Sequence, residues 1–489
     1  MSPEAFRRIG YRAVDRIAAY MEQLDGLAPM PKTAPGEVMA RVPECAADPP
    51  GDVDEWDSIF EDLEQFIEPN LMHWQSPGFF GYFPCNSSGP AIIGELLSAG
   101  YGQQGMLWQT SPASNELERA LLDQMARACG LPDRFVSTSP NGGGCIQGTA
   151  SESTLVAMVA GRRRVVDQGA DPARVTVYAS KETHSSFVKA AMISGLAISP
   201  ADERRVRLIA VDSTGAMDAL ALREAIVRDM DAGCTPAMVT ATLGTTGTTA
   251  IDPLDAIGRV IEETGAASRG CWLHVDAAHA GAMLVCPEHR GMLAGIERVD
   301  SFCFNPHKWL LVNFDCNLFW TADRGALVNS LSVTPEYLRN EASEGGEVFD
   351  YRDWSVPLGR RFRSLKLWLV LRHYGLAGLR AHIRGHLRLA ALFEGWVRSD
   401  ERFEVLSPRR MNLVCLALKA GDAPTRELMD RVNRSGRIVV THTVISTEAG
   451  PRLAIRVAIG ATTTEQRHVR EAWAKFAEVA DDLVGGVGS

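Results

Sequence analysis

The middle of the chain alternates short apolar runs with segments in which apolar residues recur at helical spacing. The apolar runs predict strands at 175–178, 206–211, 238–243, 272–275, 302–304 and 318–320. The spacing between them predicts helices that include 217–232 and 254–264. Continuous apolar strands separated by helices are typical of a mostly parallel sheet with helices on both faces. Ligands of such sheets bind beyond the carboxyl ends of the strands, so the residues that follow each strand are candidates for chemistry.

The two ends of the chain depart from this rhythm. Amphipathic helices are predicted over 3–24 and 56–67, separated by a segment rich in Pro and Gly. Two such helices bury little apolar surface alone, so we expect them to pack on something larger, such as a second subunit. After residue 400, a small α+β domain is predicted, with strands at 403–406, 411–418, 437–440 and 452–457 and helices at 425–435 and 464–483.

These patterns predict three parts. An N-terminal helical dimerisation segment covers 1–88, a large α/β domain covers 89–375, and a small C-terminal α+β domain covers 376–489.

Composition and charge narrow the functional classes. With 46% hydrophobic and 22% charged residues, the 489-residue chain is typical of a folded protein. The net charge of −10 disfavours nucleic acid and membrane surfaces as partners, because both attract concentrated lysine and arginine. No apolar run reaches the roughly 20 residues of a membrane span, and no secretory signal is recognised. The 10 scattered cysteines favour reduced thiols in the cytoplasm. No metal site is expected, since His274, Asp276 and His279 lack zinc-motif spacing.

The first candidate for chemistry is the segment 141–153, which contains three consecutive glycines. Glycines open backbone conformations that other residues avoid, and Thr149 with Glu152 fits a capping box at the start of a helix. Free N–H groups and hydroxyls at a helix start bind phosphate. A capped helix after a plain loop explains the same residues, so the segment alone leaves both interpretations open.

The second and third candidates follow predicted strands. Asp276 ends an apolar strand, where a carboxylate is costly unless it meets a positive partner such as a protonated pyridine nitrogen. An aspartate that caps the following turn is the alternative. Lys308 lies between two apolar segments, which lowers the pKa of an amine and suits imine formation. A lysine that reaches the surface from a loop is the alternative here.

Phosphate segment, aspartate and lysine, in this order, resemble the group II decarboxylases that depend on pyridoxal phosphate (PLP), especially the aromatic-L-amino-acid decarboxylases. The resemblance runs nearly the length of the chain and includes the segments 73–77 (HWQSP), 274–278 (HVDAA), 305–309 (NPHKW) and 357–362 (PLGRRF). It implies the type I PLP-dependent transferase fold, with a mostly parallel seven-stranded sheet, and a homodimer with active sites at the interface.

The resemblance also implies roles for individual residues. Lys308 binds PLP covalently, Asp276 pairs with the pyridine nitrogen, and His184 stacks on the ring and approaches the substrate carboxylate. Tyr337, on a loop expected to close over the site, returns a proton to the α-carbon. The other cofactor-binding residues are Thr149, Ala150, Ser151, Thr246, Ala278, Asn305 and His307.

The substrate pocket implied by the resemblance is largely aromatic. Its members are Trp74, Tyr82, Phe83, Cys85, Met106, His184, Phe314 and Gly359. Cys85 and Met106 depart from the threonine and phenylalanine usual in animal dopa decarboxylases, and Gly359 matches indole-accepting plant relatives. Tryptophan is therefore favoured, with tyrosine, dopa and phenylalanine as competitors. Two alternatives remain: an aromatic aldehyde synthase, in which His184 or the loop tyrosine is typically replaced, and a non-catalytic homologous binding dimer.

Overall fold

A computed structural model describes residues 1–42, 56–333 and 348–484. Seven strands form the large sheet: β1 (Gly143–Gln147), β2 (Val175–Ser180), β3 (Val206–Ile209), β4 (Thr235–Thr242), β5 (Trp272–Asp276), β6 (Ser301–Phe304) and β7 (Asn317–Thr321). Their order is β1-β7-β6-β5-β4-β2-β3. Strand β7 runs antiparallel to β1 and β6, and the four pairs from β6 to β3 are parallel. The predicted mostly parallel seven-stranded sheet is confirmed.

Helices cover this sheet and connect its strands. Their bounds are α1 (Pro3–Gln23), α2 (Trp56–Asp62), α3 (Gly89–Tyr101), α4 (Pro112–Cys129), α5 (Ala150–Asp167), α6 (Ser186–Ile193), α7 (Ala219–Asp231), α8 (Leu254–Glu263), α9 (Pro306–Trp309), α10 (Arg324–Leu331), α11 (Arg363–Ser399), α12 (Asp422–Arg434) and α13 (Gln466–Val484). Apolar residues on both faces of the sheet are buried in two large clusters. This two-sided burial is why the strands read as continuous apolar runs. In the described ranges, no helix is both long and apolar enough to cross a membrane.

The C-terminal part has its own antiparallel sheet, in the order β10-β11-β9-β8. Its strands are β8 (Phe403–Val405), β9 (Leu413–Leu418), β10 (Thr441–Thr447) and β11 (Gly450–Ala458). The strand predicted at 437–440 is wrong. There the chain docks on the N-terminal segment, where Phe80 N donates to Val439 O (2.8 Å) and Val439 N to Gly78 O (3.0 Å). Those apolar residues are buried by this contact, whereas β10 is largely polar and was not predicted.

Helix α11 passes from the large sheet to the small one and bends at Gly375, whose φ of +59° is open mainly to glycine. The predicted domain boundary at residues 375 and 376 falls at this bend, and the division into domains stays a prediction. At the other end of the chain, α1 buries Ile9 but leaves Phe6 and Ile17 exposed. This is the amphipathic helix that the sequence predicts, with apolar side chains that this chain does not cover.

A buried ion pair holds β1 against the helices beside it. Arg360 Nη2 donates to Glu118 Oε1 (2.7 Å) and to Ile146 O (2.6 Å), and Ile146 N donates to the same carboxylate oxygen (2.7 Å). Both charged side chains are almost completely buried. A buried ion pair costs little stability when all of its hydrogen bonds are made. Removal of one member leaves the other charge buried without a partner, which is strongly destabilising.

We therefore expect Glu118→Gln to lower the free energy of unfolding by about 3 kcal/mol, because it leaves the Arg360 guanidinium buried without a counter-charge. Urea titration of the purified protein measures this. Arg163→Gln is the control, since it removes an exposed pair with Asp167 (2.8 Å) and should cost no more than about 0.5 kcal/mol. Equal effects of the two substitutions would contradict the prediction.

Candidate active site

The carboxyl ends of β4, β5 and β6 meet at one edge of the large sheet, as the strand order requires. Asp276 ends β5, and one of its carboxylate oxygens accepts a hydrogen bond from Ala278 N (2.9 Å). Asn305 follows β6, and its backbone N–H donates to Ala278 O (3.0 Å). Thr246 lies in the turn after β4. Four predicted site residues, from three stretches that are well separated in sequence, are thus brought to one edge.

Lys308 lies on α9, directly beyond Asn305. Its backbone N–H donates to Asn305 O (3.0 Å), and its Nζ lies 5.4 Å from the centre of the Phe83 ring. Burial lowers the pKa of Lys308 from its usual 10.5, while the Asp276 carboxylate opposes the shift. A lowered pKa increases the neutral fraction of the amine near pH 7, which is the form that attacks a carbonyl carbon.

Asp276 is buried, with 5% of its surface exposed. Within the described ranges, no cationic side chain lies within 4 Å of its carboxylate, so Lys308 acts on it only from a longer distance. A carboxylate in this setting is costly unless a positive group completes the pair. The Asp276 carboxylate at the end of β5 therefore favours a cationic group beside it.

The start of α5 differs from the capping box that the sequence predicts. Thr149 is the N-cap residue, but its side chain makes no capping hydrogen bond. The Glu152 carboxylate instead accepts from Gly148 N (3.1 Å) and Val356 N (3.2 Å), so it is held away from Thr149 N. Ala150 N donates to Asn305 Oδ1 (3.1 Å), which joins this helix start to the lysine-bearing loop.

The glycines before α5 were expected to adopt unusual backbone conformations, and their role in the structure is different. Gly143 and Gly144 belong to β1 rather than to an open loop, and Gly144 is packed so closely that an added Cβ would lie 2.7 Å from Phe319 O. Small size, rather than unusual backbone angles, is what this position requires. The phosphate-binding potential of the segment is therefore confined to residues 149–151 at the start of the helix.

His184 lies between β2 and α6. Its Nδ1 accepts from Ser186 N (3.2 Å) and contacts Ser186 Oγ (2.9 Å), which assigns the proton of the neutral ring to Nε2. Although the residue is exposed to solvent, desolvation of the ring lowers its pKa; the Asp276 carboxylate opposes this shift and Lys308 adds to it. His184 is therefore a neutral ring that lies within electrostatic reach of both groups.

Aromatic side chains form a wall beside Lys308. Phe83, below Lys308 Nζ, stacks on His279 with ring centres 4.0 Å apart, and Tyr82 stacks on Trp74 at 5.5 Å. The two pairs are linked along the chain, because Tyr82 and Phe83 are adjacent residues. The wall presents apolar faces, which suits a flat, apolar ligand.

The remaining predicted wall residues near Lys308 lie around His307. The ring centres of Phe314 and His307 lie 4.8 Å apart. Burial lowers the pKa of His307 to about 3, so the ring is neutral near pH 7. Its Nδ1 accepts a hydrogen bond from Cys316 N (2.9 Å). The Cys85 thiol lies near Phe314 and Lys308; burial raises its pKa, and Lys308 opposes this. Phe314 is more than half exposed.

Two predicted pocket residues are not at this wall. Gly359 lies beside Gln104, and Gly105 N donates to Arg360 O (2.9 Å), so Met106 and Gly359 share a separate cluster. None of the contacts made in the described ranges connects this cluster to Lys308. Tyr337 lies outside the described residues. Within the described residues, the members of the predicted substrate pocket are therefore not all brought together.

Two residues of the site were not predicted. His279 is completely buried behind Phe83, with Nε2 2.7 Å from Asn412 Oδ1, and burial lowers its pKa to about 3. Arg456, on β11, lies with its guanidinium 5.2 Å from the centre of the Phe83 ring. The sequence signal for His279 was its place three residues after Asp276. Arg456 gave none, because it reads as an ordinary residue of a strand in another domain.

The donor set fits PLP. A helix start with N–H groups and a hydroxyl suits a phosphate, a buried carboxylate without a cation suits a protonated pyridine nitrogen, and a desolvated lysine amine suits an aldehyde carbon. Each of these groups is present, at Thr149, Asp276 and Lys308, and the Phe83 wall is apolar as a flat ring requires.

Comparison with known proteins leads to the same cofactor. The profile of the pyridoxal-dependent decarboxylase conserved domain matches residues 35–419. The chain is 43% identical to phenylacetaldehyde synthase of Arabidopsis thaliana, with 99% of this chain and 97% of that protein covered. It is 42% identical to tryptophan decarboxylase 2 of Oryza sativa subsp. japonica, with 99% and 96% covered. The crystal structure of Oryza sativa TDC with PLP and tryptamine has a TM-score of 0.92 at 38% identity, and 99% of both chains is covered.

These matches confirm the predicted α/β fold class and the predicted cofactor. With a domain profile across most of its length and relatives above 40% identity from end to end, the chain belongs to the pyridoxal-dependent decarboxylase family, whose cofactor is pyridoxal phosphate.

Proposed function

We propose that this enzyme removes the α-carboxyl group of aromatic L-amino acids and releases the arylalkylamine and CO₂. One observation carries the proposal: Lys308, which Asp276 influences electrostatically, lies beside the aromatic ring of Phe83, and Asn305 joins its loop to the start of α5. Bound PLP supplies the electron sink that decarboxylation requires. The cited relatives include a tryptophan decarboxylase that is similar along its whole length.

The proposed roles follow the chemistry of each group. Lys308 holds PLP covalently, and Asp276 keeps the pyridine nitrogen protonated. The phosphate is bound by Thr149, Ala150 and Ser151, while Thr246, Ala278, Asn305 and His307 line the cofactor. His184 offers its Nε2–H and ring face to the bound molecules. Tyr337 returns the proton to the α-carbon.

We also propose that the enzyme is a homodimer that works in the cytoplasm. Apolar side chains are exposed on α1 and α3, including Phe6, Ile93 and Leu96, each more than half exposed. A second chain that covers these faces would complete the pocket, because Met106 and Gly359 lie apart from Lys308 within one chain. The nine cysteines of the described ranges are free, which suits a reducing compartment.

Tryptophan is the favoured substrate in this proposal. The Phe83 wall accepts any aromatic ring, so preference depends on polar groups that meet the ring substituent. Cys85 lies near Lys308 and offers only a weakly polar thiol, which favours an indole over a catechol. Tyrosine, dopa and phenylalanine remain competitors.

An aromatic aldehyde synthase is the second candidate, because a phenylacetaldehyde synthase is 43% identical to this chain. That reaction consumes O₂ and water and yields the aldehyde, CO₂, ammonia and hydrogen peroxide. The presence of both His184 and Tyr337 favours the decarboxylase. A non-catalytic binding dimer is disfavoured by the intact Lys308 and Asp276.

We expect Lys308→Ala to abolish CO₂ release, since it removes the amine that is proposed to hold the cofactor. The same variant should lose the borohydride-stable attachment of PLP to the peptide that contains residue 308, as measured by mass spectrometry. Lys475→Ala, which removes a partly exposed lysine paired with Glu478 (2.7 Å), is the matched control and should retain both. Attachment of PLP at another lysine with full activity would disprove the assignment.

Product analysis separates the two candidate reactions. With tryptophan, tyrosine, dopa or phenylalanine, we expect amine and CO₂ in equal amounts, without ammonia or hydrogen peroxide, because protonation follows decarboxylation. Mass spectrometry of the amine and a peroxide assay provide the measurement. Ammonia and peroxide in amounts equal to CO₂ would identify the aldehyde synthase instead.

The role of Cys85 in substrate preference can be measured directly. Cys85→Thr adds a hydroxyl beside the ring, so we expect the ratio of kcat/KM for dopa to that for tryptophan to rise about fivefold, the equivalent of one hydrogen bond. Cys234→Ser, a change distant from the large-sheet site, is the control. An unchanged ratio would remove Cys85 from the set of specificity residues.

A further inference from the structure

Arg456 of β11 contacts three separate stretches of the chain. Its Nη2 donates to Thr246 O (2.7 Å) and its Nε to Gly247 O (3.0 Å), in the turn after β4. Its Nη1 donates to Tyr82 O (3.2 Å) and to Thr441 Oγ1 (3.0 Å). One guanidinium thus joins the small domain, the cofactor-lining turn and the aromatic wall.

The charge of Arg456 is not balanced by a carboxylate. Only 4% of the residue is exposed, and no carboxylate in the described part of the chain lies within 4 Å of it. Arg452, four residues earlier on the same strand, pairs with Glu404 (2.6 Å) and Asp422 (3.2 Å) and is a quarter exposed. A buried cation that has only carbonyl and hydroxyl partners lowers the stability of the folded chain. We therefore expect Arg456 to serve the function of the protein rather than its stability.

The backbone that Arg456 holds is itself strained. Tyr82 has a φ of +52°, an uncommon conformation for a bulky residue, which persists only where neighbouring groups impose it. Tyr82 N donates to Thr441 Oγ1 (3.2 Å), the hydroxyl that also accepts from Arg456, and Tyr82 O accepts from the guanidinium. Arg456 and Thr441 therefore fix the turn that sets the direction of Phe83.

We propose that Arg456 is a positioning residue of the active site, which holds the Tyr82–Phe83 wall at a fixed distance from the Thr246–Gly247 turn. It acts on the substrate ring through Phe83 and on the cofactor through Thr246, without touching either molecule. This inference deepens the proposed function and rests on it, because the wall is assigned there to the aromatic side chain. The guanidinium also contributes to the lowered pKa of Lys308.

Two variants test the role. Arg456→Lys keeps the charge but loses the planar fork that reaches several carbonyls at once, and Thr441→Val removes the shared hydroxyl. For both we expect KM for the aromatic amino acid to rise about tenfold with a smaller change in kcat, since the wall contacts the ring before and during the reaction. Arg452→Lys is the matched control on the same strand and should leave both constants unchanged.

Hydrogen exchange of the PLP-loaded protein supplies a second readout. With Arg456→Lys, amides in 79–85 and 243–250 should exchange several-fold faster, while those of β9 and β11 keep their rates. Faster exchange across the whole small domain, or unchanged exchange in both segments, would overturn the positioning role. A tenfold loss in kcat at constant KM would overturn it as well.

The two proposals fail in distinguishable ways. If the unmodified enzyme forms no product from any aromatic amino acid, the proposed function is wrong, while the exchange rates still decide whether Arg456 fixes the two segments. If the unmodified enzyme is active and Arg456→Lys and Thr441→Val match it in KM and exchange, the inference about Arg456 is wrong and the proposed function stands.

Discussion

The hydrogen bonds of Asn305 hold the active site together. Its backbone N–H binds the loop after β5, its carbonyl accepts from Lys308 N, and its side-chain oxygen accepts from Ala150 N at the start of α5. The distances are 3.0, 3.0 and 3.1 Å. Because parallel strands end at the same edge of a sheet, loops that are far apart in sequence come within reach of this one residue. The aspartate, the lysine and the helix start are therefore fixed relative to one another.

The residues around Asn305 include buried charged groups that lower the stability of the folded chain. Asp276 and Arg456 are buried without an ion-pair partner within 4 Å in the described chain, and Lys308 is desolvated. Such groups are costly in a protein interior, and a bound cofactor with an anionic phosphate and a cationic ring relieves part of that cost. Elsewhere the chain follows the opposite rule, as the fully paired Glu118 and Arg360 show.

Sequence patterns predicted the structure correctly where the burial of a segment follows from its own run of residues. Apolar runs marked strands β2 to β7 because both faces of the sheet are covered, and Asp276 and Lys308 stood out because charged residues interrupt those runs. The patterns failed where a distant partner decides. Gly144 reads as a loop residue until Phe319 O is seen beside it, and Glu152 reads as a cap until Val356 N takes its carboxylate.

By itself, the sequence determined the class of fold, which follows from its periodicity, and its resemblance to a known family indicated the cofactor. The residues assigned to the chemistry stay a prediction. Only the tertiary structure decided which side chains meet. Arg456 reaches Tyr82 across 374 positions, and Met106 and Gly359 lie apart from the lysine with which they were grouped. Contacts of this kind depend on how two sheets and an N-terminal segment dock, and local spacing carries no record of that docking.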